Sequence, residues 1–426
     1  MEADIITIGD ELLIGQVLDT NSGWIASHLN AIGIRINRRI AVGDIAEQIS
    51  DTLDISFKHS EVVIMTGGLG PTKDDITKQT LARWFGVGLV MHTPTYDHVE
   101  RMLTARGVEF NDLNRSQAMV LAGCRVLANP NGTAPGMWME RGGKVLVSLP
   151  GVPFEMKGIM EGEALGLLRE RFALSNITHR TAICFGLAES MLAERIAAWE
   201  DALPPYFHLA YLPGPWHMRL RLSIYDMEPG RAECEIEEQF ERLQKLIPEY
   251  FVGFSDSVAA EVADLLTSRK ATLAVAESCT GGALGSSFTE MAGASNYFLG
   301  GIVAYSNDLK RNILGVDAAA IERRGAVSQE VAVQMAEGAR RVCGADYAIA
   351  TTGIAGPAGG SPEKPVGTVW IAVAGPEGVY AQKFVFGSLR EQNIARAAAT
   401  AENMLRLLLT GQIEKINPRP ICIYRK

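Results

Sequence analysis

The sequence predicts an α/β protein in three parts. These are an N-terminal doubly wound domain with a mostly parallel sheet, a small α+β module, and a C-terminal α/β domain. Three observations carry this reading. Strand-length apolar runs alternate with helical patterns over the first ~165 residues, the signature of a sheet covered by helices. The pattern loses that alternation over residues ~170–252. It returns over ~256–412. The expected boundaries are 1–168, 169–253 and 254–413, with a tail at 414–426.

In the first part, "DIITIG" (4–9) reads as a buried strand. "NSGWIASHLNAIG" (21–33) reads as a helix stopped by Gly33, "IRINRRIAVG" (34–43) as a strand and "IAEQISDTLDISFK" (45–58) as a helix. "EVVIMTGG" (61–68) is a strand running into a glycine turn, and "DDITKQTLARWFG" (74–86) a helix closed by glycine. In the middle part, "RTAICFGLAES" and "MRLRLSIYD" read as strands, and "RAECEIEEQFERLQKLI" as an amphipathic helix. The proline-rich "LPPYFHLAYLPGP" (203–215) reads as a loop. In the last part, "ATLAVAES" (271–278), "GGIVAYS" (300–306), "YAIATTG" (347–353) and "GTVWIAVAG" (367–375) read as strands. "SQEVAVQMAEGARRVCG" (328–344) and "REQNIARAAATAENMLRLLL" (390–409) read as helices. The tail "EKINPRPICIYRK" carries two prolines and no helical period, so it is expected to be loose.

Composition narrows the function classes. The 426 residues are 47% hydrophobic with a formal net charge of −9. No basic block stands out, which disfavours nucleic-acid binding. The start, "MEADIITIGDEL", lacks the pattern of a signal peptide, and no apolar run reaches membrane-spanning length. The six cysteines are scattered, with no CxxC pair and no metal-ligand spacing. A cytoplasmic enzyme with reduced thiols and no membrane contact is expected.

"VAESCTGGAL" (275–284) ends a strand and opens a helix at a glycine turn. Ligands of open α/β sheets lie at the carboxyl ends of strands, and a helix start there offers free amide donors. Ser278 therefore stands where a nucleophile can act. The residues equally allow Ser278 or Thr280 to be a helix cap, with the glycines serving only the turn. A serine nucleophile needs a base. None of the seven histidines lies after residue 217, so the last domain cannot build a histidine-based site from its own residues. Its lysines are Lys270, Lys310, Lys364 and Lys383. Lys310 is best placed, because it follows "GGIVAYSNDLK" where Tyr305 and Ser306 end another strand. Tyr305 is positioned to relay a proton or orient that lysine. Cys279 is a rival nucleophile, one residue on, where its side chain is expected in the packing.

A second feature is "TTGIAGPAGGSPEKPVGTV" (351–369), a glycine- and proline-rich loop after a strand. Its backbone can approach a ligand closely. In order, "AESCTGG", "YSNDLK", "GAVS" (325–328) and this loop resemble the C-terminal family of CinA proteins, the nicotinamide mononucleotide (NMN) amidohydrolases. The resemblance spans ~256–412. It implies hydrolysis of the NMN carboxamide to nicotinic acid mononucleotide and ammonia, with no cofactor. The implied roles fall on Ser278 as nucleophile and Lys310 as base, with Tyr305 beside them. Amides near Thr280, Gly281 and Gly282 would stabilise the oxyanion. Thr352, Gly353 and the loop would hold substrate, and Arg390 in "FGSLR" is a phosphate partner.

At the other end, "GDELLIGQVLDTN" (9–21) places Asp10 and Glu11 past the first strand. "TGGLGPTKDDIT" (66–77) places Thr66, Gly67, Gly68 and Gly70 after the third, with Asp74 and Asp75 opening a helix. Glycine amides suit a phosphate and carboxylates suit Mg²⁺ held through it. Acids at a helix start are also favoured by the helix dipole alone. With "NPNGTAPG" (129–136) and "LPGVPFEM" (149–156), this part resembles the molybdopterin-binding domain family and its CinA branch. The middle module resembles a KH-type domain without a GxxG loop. The resemblance implies a pyrophosphatase using Mg²⁺ or a similar divalent ion, which cleaves ADP-ribose to AMP and ribose 5-phosphate. Its candidate metal and phosphate residues are Asp10, Glu11, Asn21, Asp74, Asp75 and Glu155.

Three readings follow: a bifunctional pyridine-nucleotide salvage enzyme, a pterin- or nucleotide-binding protein with a deamidase half, or a non-catalytic competence regulator. The expected partners are NMN and ADP-ribose, and a homodimer is expected for a three-domain chain of this class.

Overall fold

The computed structural model describes residues 1–72, 75–214, 217–415 and 421–422. The chain forms two compact units. One comprises 1–178 with 225–229, and the other 179–224 with 230–426. The second unit takes in most of the middle module together with the C-terminal domain.

The first unit contains strands β1 (Glu2–Ile8), β2 (Arg35–Val42), β3 (Val62–Thr66), β4 (Leu89–Met91), β5 (Met119–Leu121), β6 (Arg125–Leu127), β7 (Gly136–Arg141) and β8 (Lys144–Leu149). Six of them form one sheet in the order β2-β1-β3-β8-β7-β6. The first four run parallel, and β7 and β6 turn antiparallel at the edge. All five residues of β3 are buried, as a strand covered on both faces requires. Successive residues feed opposite cores. Ile5, Ile64 and Val147 meet Ile25 and Leu29 of the helix Thr20–Ala31, while Ile6, Val63 and Met65 meet Ile49 and Leu53 of the helix Ala46–His59. This is the doubly wound arrangement.

One helix boundary differs from the sequence reading. The helix expected to open at Asp74 and Asp75 spans Thr77–Phe85. Thr77 donates its amide to Gly68 O, and Asp75 lies ahead of the helix in a turn. Asp74 lies outside the described residues.

The middle module has strands β9 (Ile177–Phe185), β10 (Phe207–Pro213), β11 (His217–Tyr225) and β12 (Phe251–Gly253), ordered β10-β11-β9-β12. Helices Glu189–Asp201 and Pro229–Leu246 complete an α+β unit. The segment read as a proline loop is in fact β10, paired antiparallel to β11 from Phe207↔Ile224 to Pro213↔Met218. It is an edge strand, where a proline's missing N–H is tolerated.

The C-terminal sheet contains β13 (Leu273–Glu277), β14 (Phe298–Val303), β15 (Tyr347–Gly353), β16 (Thr368–Gly375), β17 (Gly378–Val385) and β18 (Ile421–Cys422). Its order is β14-β13-β15-β16-β17-β18, with β14, β13 and β15 parallel and the rest antiparallel. The tail expected to be loose thus adds a short edge strand, Ala381↔Ile421 and Tyr380↔Cys422. The antiparallel β16 and β17 extend this sheet as β7 and β6 extend the first. In both sheets the first strand lies between the second and third, so the chain leaves it in opposite directions. The carboxyl ends of β1 and β3, and of β13 and β15, are therefore topological switch points, where such sheets bind ligands. Among the described residues no helix is long and apolar enough to cross a membrane.

The helix Gln329–Cys343 covers one face of the C-terminal sheet and carries Gly338 in its buried stripe. A Cβ there would stand 2.1 Å from Leu314 O. Gly338→Ala would stabilise an exposed helix by about 1 kcal/mol through propensity. Here the backbone clash reverses the sign, and a loss of about 1–3 kcal/mol is expected in denaturant titration.

Candidate functional sites

Ser278 follows β13 directly, and its amide donates to Thr351 O (3.0 Å) on β15. This bond ties the nucleophile candidate to the switch point. Lys310 lies in the short helix Asn307–Asn312, capped by the Ser306 hydroxyl accepting from Leu309 N. The lysine side chain reaches back under the sheet end and is 1% exposed. Its Nζ lies 3.1 Å from Ser278 Oγ, 2.7 Å from Ala304 O and 3.2 Å from Tyr305 O. Among the described residues no carboxylate forms an ion pair with it. Burial without a counter-charge pushes its pKa below the usual lysine value. A neutral amine fits this cage. Nζ donates to the two carbonyls and to the Ser278 hydroxyl oxygen, and once it loses a proton its lone pair can face the Ser278 hydroxyl.

Tyr305 touches Lys310 through its main-chain carbonyl, while the residue is 62% exposed. Cys279 points into the apolar core beside Ile349 and Leu284. Burial pushes its thiol up to about 12, so it carries little thiolate at neutral pH. Thr280 shares a hydroxyl hydrogen bond of 2.7 Å with Thr351. Thr352 donates its hydroxyl to Ala326 O, within "GAVS". Gly353 ends β15 where any Cβ would meet Thr368 O at 2.7 Å. Arg390 donates to Gly356 O (2.9 Å) and so braces the glycine loop. Asn393, which the sequence reading passed over, holds that loop from inside by donating to Ala355 O and Gly387 O.

The expected oxyanion donors need one correction. The Gly282 amide, with those of Leu284 and Gly285, donates to the carboxylate of Glu277. Glu277 was not foreseen as a site residue, because a glutamate ending an apolar strand carries no motif of its own. The amides of Thr280 and Gly281 have no protein acceptor among the described residues.

In the first unit, the switch point gathers several of the expected residues. Asn21 donates to Gly151 O (2.7 Å) and to Thr66 Oγ1 (3.3 Å), and its Oδ1 is buried without a partner. Thr66 in turn donates to Pro150 O. Glu11, Asp19, Asn21, Thr66 and Gly151 line one hollow of about 110 Å³. Asp10 sits beside Asp44, each accepting the other's amide at 3.3 Å. Gly68 lies near both Thr77 and Asp44. Asp44 was missed, although its place after the strand–glycine run "IAVG" matches that of Asp10 after "TIG".

Two other acids stand apart. Asp75 folds back on its own loop, accepting from the amides of Gly70 and Thr72 and from the Thr72 hydroxyl. Glu155 accepts from Asn129 (2.6 Å) and packs on Gly132, where burial raises its pKa. Lys78 is a further residue the sequence did not signal. It is 6% exposed and donates to Gln117 O, and burial lowers it to about 8 against the pull of Asp75.

Among the described residues no three histidine, cysteine or acidic side chains converge as a metal cage. The paired Asp10 and Asp44 fit a different pattern. Mg²⁺ is often held by one or two carboxylates and completed by substrate phosphates.

Comparison with known proteins agrees with this two-ended layout. Residues 4–170 match the probable molybdopterin binding domain, and residues 255–409 match the CinA C-terminal domain. A CinA-like protein of Cytophaga hutchinsonii is 45% identical over 95% of this chain and 97% of its own length. One of Flavobacterium psychrophilum is 43% identical over 95% of this chain and 98% of its own. The crystal structure of the competence/damage inducible protein CihA from Agrobacterium tumefaciens is 39% identical, covering 36% of this chain and 93% of that one, with a TM-score of 0.35. The coverage and identity of the full-length relatives establish that the chain belongs to the CinA family.

Proposed function

We propose that the chain is a bifunctional hydrolase of pyridine nucleotides whose C-terminal domain deamidates NMN. The observation that carries this reading is the buried Lys310 amine 3.1 Å from Ser278 Oγ. Neutral Lys310 takes the Ser278 proton as Oγ attacks the carboxamide carbon. The oxygen that gains charge is received by the amides of Thr280 and Gly281. The C–N bond then breaks, and Lys310 returns the proton to the leaving ammonia. Water, deprotonated by the same lysine, cleaves the ester to nicotinic acid mononucleotide and frees Ser278. The pyridinium charge of NMN makes its carboxamide more electrophilic. The glycine loop, Thr352 and Arg390 hold the ribosyl phosphate, and Tyr305 sits at the rim.

For the N-terminal domain we propose metal-dependent hydrolysis of ADP-ribose to AMP and ribose 5-phosphate. Asp10 and Asp44, with Glu11 nearby, would hold the divalent ion, which would offset charge on the diphosphate. The Gly67–Gly70 turn and Asn21 would bind the phosphates. A second reading, in which this half only binds a nucleotide or pterin, rests on the match of residues 4–170 to the probable molybdopterin binding domain.

Ser278→Ala should abolish ammonia release from NMN measured in chelator, and Cys279→Ala should retain it. The pH profile of kcat/KM should rise as Lys310 loses its proton, with a midpoint below the usual lysine value. Lys310→Arg, which cannot deprotonate, should lower the rate by about 10²–10⁴-fold at every pH. Asp44→Asn should lower Mg²⁺-dependent AMP formation from ADP-ribose at least about tenfold while leaving ammonia release from NMN unchanged. No AMP formation by the native chain would favour the binding-module reading.

A further inference from the structure

Glu277 immediately precedes Ser278 and is 1% exposed. Buried carboxylates are costly unless fully paired. This one is paired with main-chain amides. Its Oε2 accepts from Gly282 N (2.9 Å) and Leu284 N (3.1 Å), and its Oε1 from Gly285 N (2.8 Å). These donors belong to the first turn of the helix Ala283–Thr289 and to its cap residue Gly282, in the left-handed conformation at φ 107°. The positive end of that helix is therefore occupied by the protein's own anion, and a substrate phosphate is excluded from it. The strand residue before the nucleophile is thereby bonded to the helix after it, closing residues 278–281 into a short loop fixed at both ends. The other end is held by Ser278 N on Thr351 O and by the Thr280–Thr351 hydroxyl pair.

We propose that Glu277 is a positioning residue for the Ser278 reaction. Its carboxylate caps the helix start and so clamps the turn that holds the unused amides of Thr280 and Gly281 in place for the oxyanion. This proposal rests on Ser278 being the nucleophile, but not on NMN being the substrate. Glutamine at 277 has the same shape but offers only one acceptor oxygen, and its NH₂ group would face an amide N–H. At least one of the three bonds is lost and the loop loosens.

The test measures ammonia release from NMN alongside the rate at which a fluorophosphonate probe labels Ser278. Probe labelling needs the activated serine and its oxyanion donors but no cognate substrate. Glu277→Gln should lower both labelling and kcat at least about tenfold, since one lost oxyanion donor can cost 10²–10³-fold, with KM for NMN changed less than about threefold. Glu277→Asp, which keeps the charge but loses reach, should label at an intermediate rate and serves if the glutamine variant does not fold. Val379→Ala is the control: it opens a cavity in the same core, but Val379 pairs with Ala374 and so lies level with Ala348 at the amino end of β15, opposite the end that holds Ser278, and it should label at the native rate. Native-rate labelling of Glu277→Gln, or equal slowing of the Val379→Ala control, would overturn the positioning role. Labelling that depends on Glu277, without ammonia release from NMN by the native chain, would uphold Glu277 and overturn only the substrate. Failure of the native chain to label at Ser278 would overturn both.

Discussion

The C-terminal site depends on one constraint: an amine buried where it has carbonyls for company and, among the described residues, no carboxylate paired with it. Lys310 Nζ is held by Ala304 O and Tyr305 O, and the third group in reach is Ser278 Oγ. Desolvation penalises the ammonium, so the fold lowers the pH at which the amine becomes able to accept a proton. A carboxylate in the cage would reverse this by stabilising the charged form. Cys279 shows the same physics with the opposite consequence. Burial disfavours its thiolate, so the more reactive element beside Ser278 is held inert.

The two sheets solve a similar problem with the same device. At each switch point glycines open the backbone and leave amides that need acceptors. In the C-terminal domain Glu277 takes those of the helix start. In the N-terminal domain Asp75 takes those of Gly70 and Thr72. An internal carboxylate thus selects which amides remain for a ligand. Around the first switch point the other acids are spread among separate partners, with Asp10 against Asp44 and Glu155 against Asn129. A divalent ion there would depend on phosphate oxygens to complete its shell, which would couple metal binding to substrate binding.

Much of this was legible in the chain itself. The strand "YAIATTG" matches β15 residue for residue, and the helix stop at Gly86 is a left-handed cap at φ 73°. No histidine follows residue 217, which leaves lysine as the common base within this domain, and the fold brings Lys310 to Ser278 across 32 residues of sequence. The errors share a cause. Asp75 carries the signature of a helix-opening acid, yet its carboxylate satisfies loop amides five and three residues earlier. The prolines around 203–215 mark a loop by local preference, yet pairing with β11 makes an edge strand of Phe207–Pro213.

The sequence by itself determined the alternation of elements, the glycine turns at the strand ends and the order of the motif residues, because these follow from local backbone preference and apolar period. Tertiary structure alone decided which polar atoms meet. It put the Tyr305 carbonyl rather than its phenol against Lys310, placed Asp44 beside Asp10, gave Glu277 its three amides, and buried Lys78. The Asp10–Asp44 pair and the burial of Lys78 join segments distant in the chain, while the Glu277 and Tyr305 contacts are close in sequence but depend on how the turn folds at the end of the sheet, and such hydrogen-bonding and desolvation balances leave no periodic trace in the sequence.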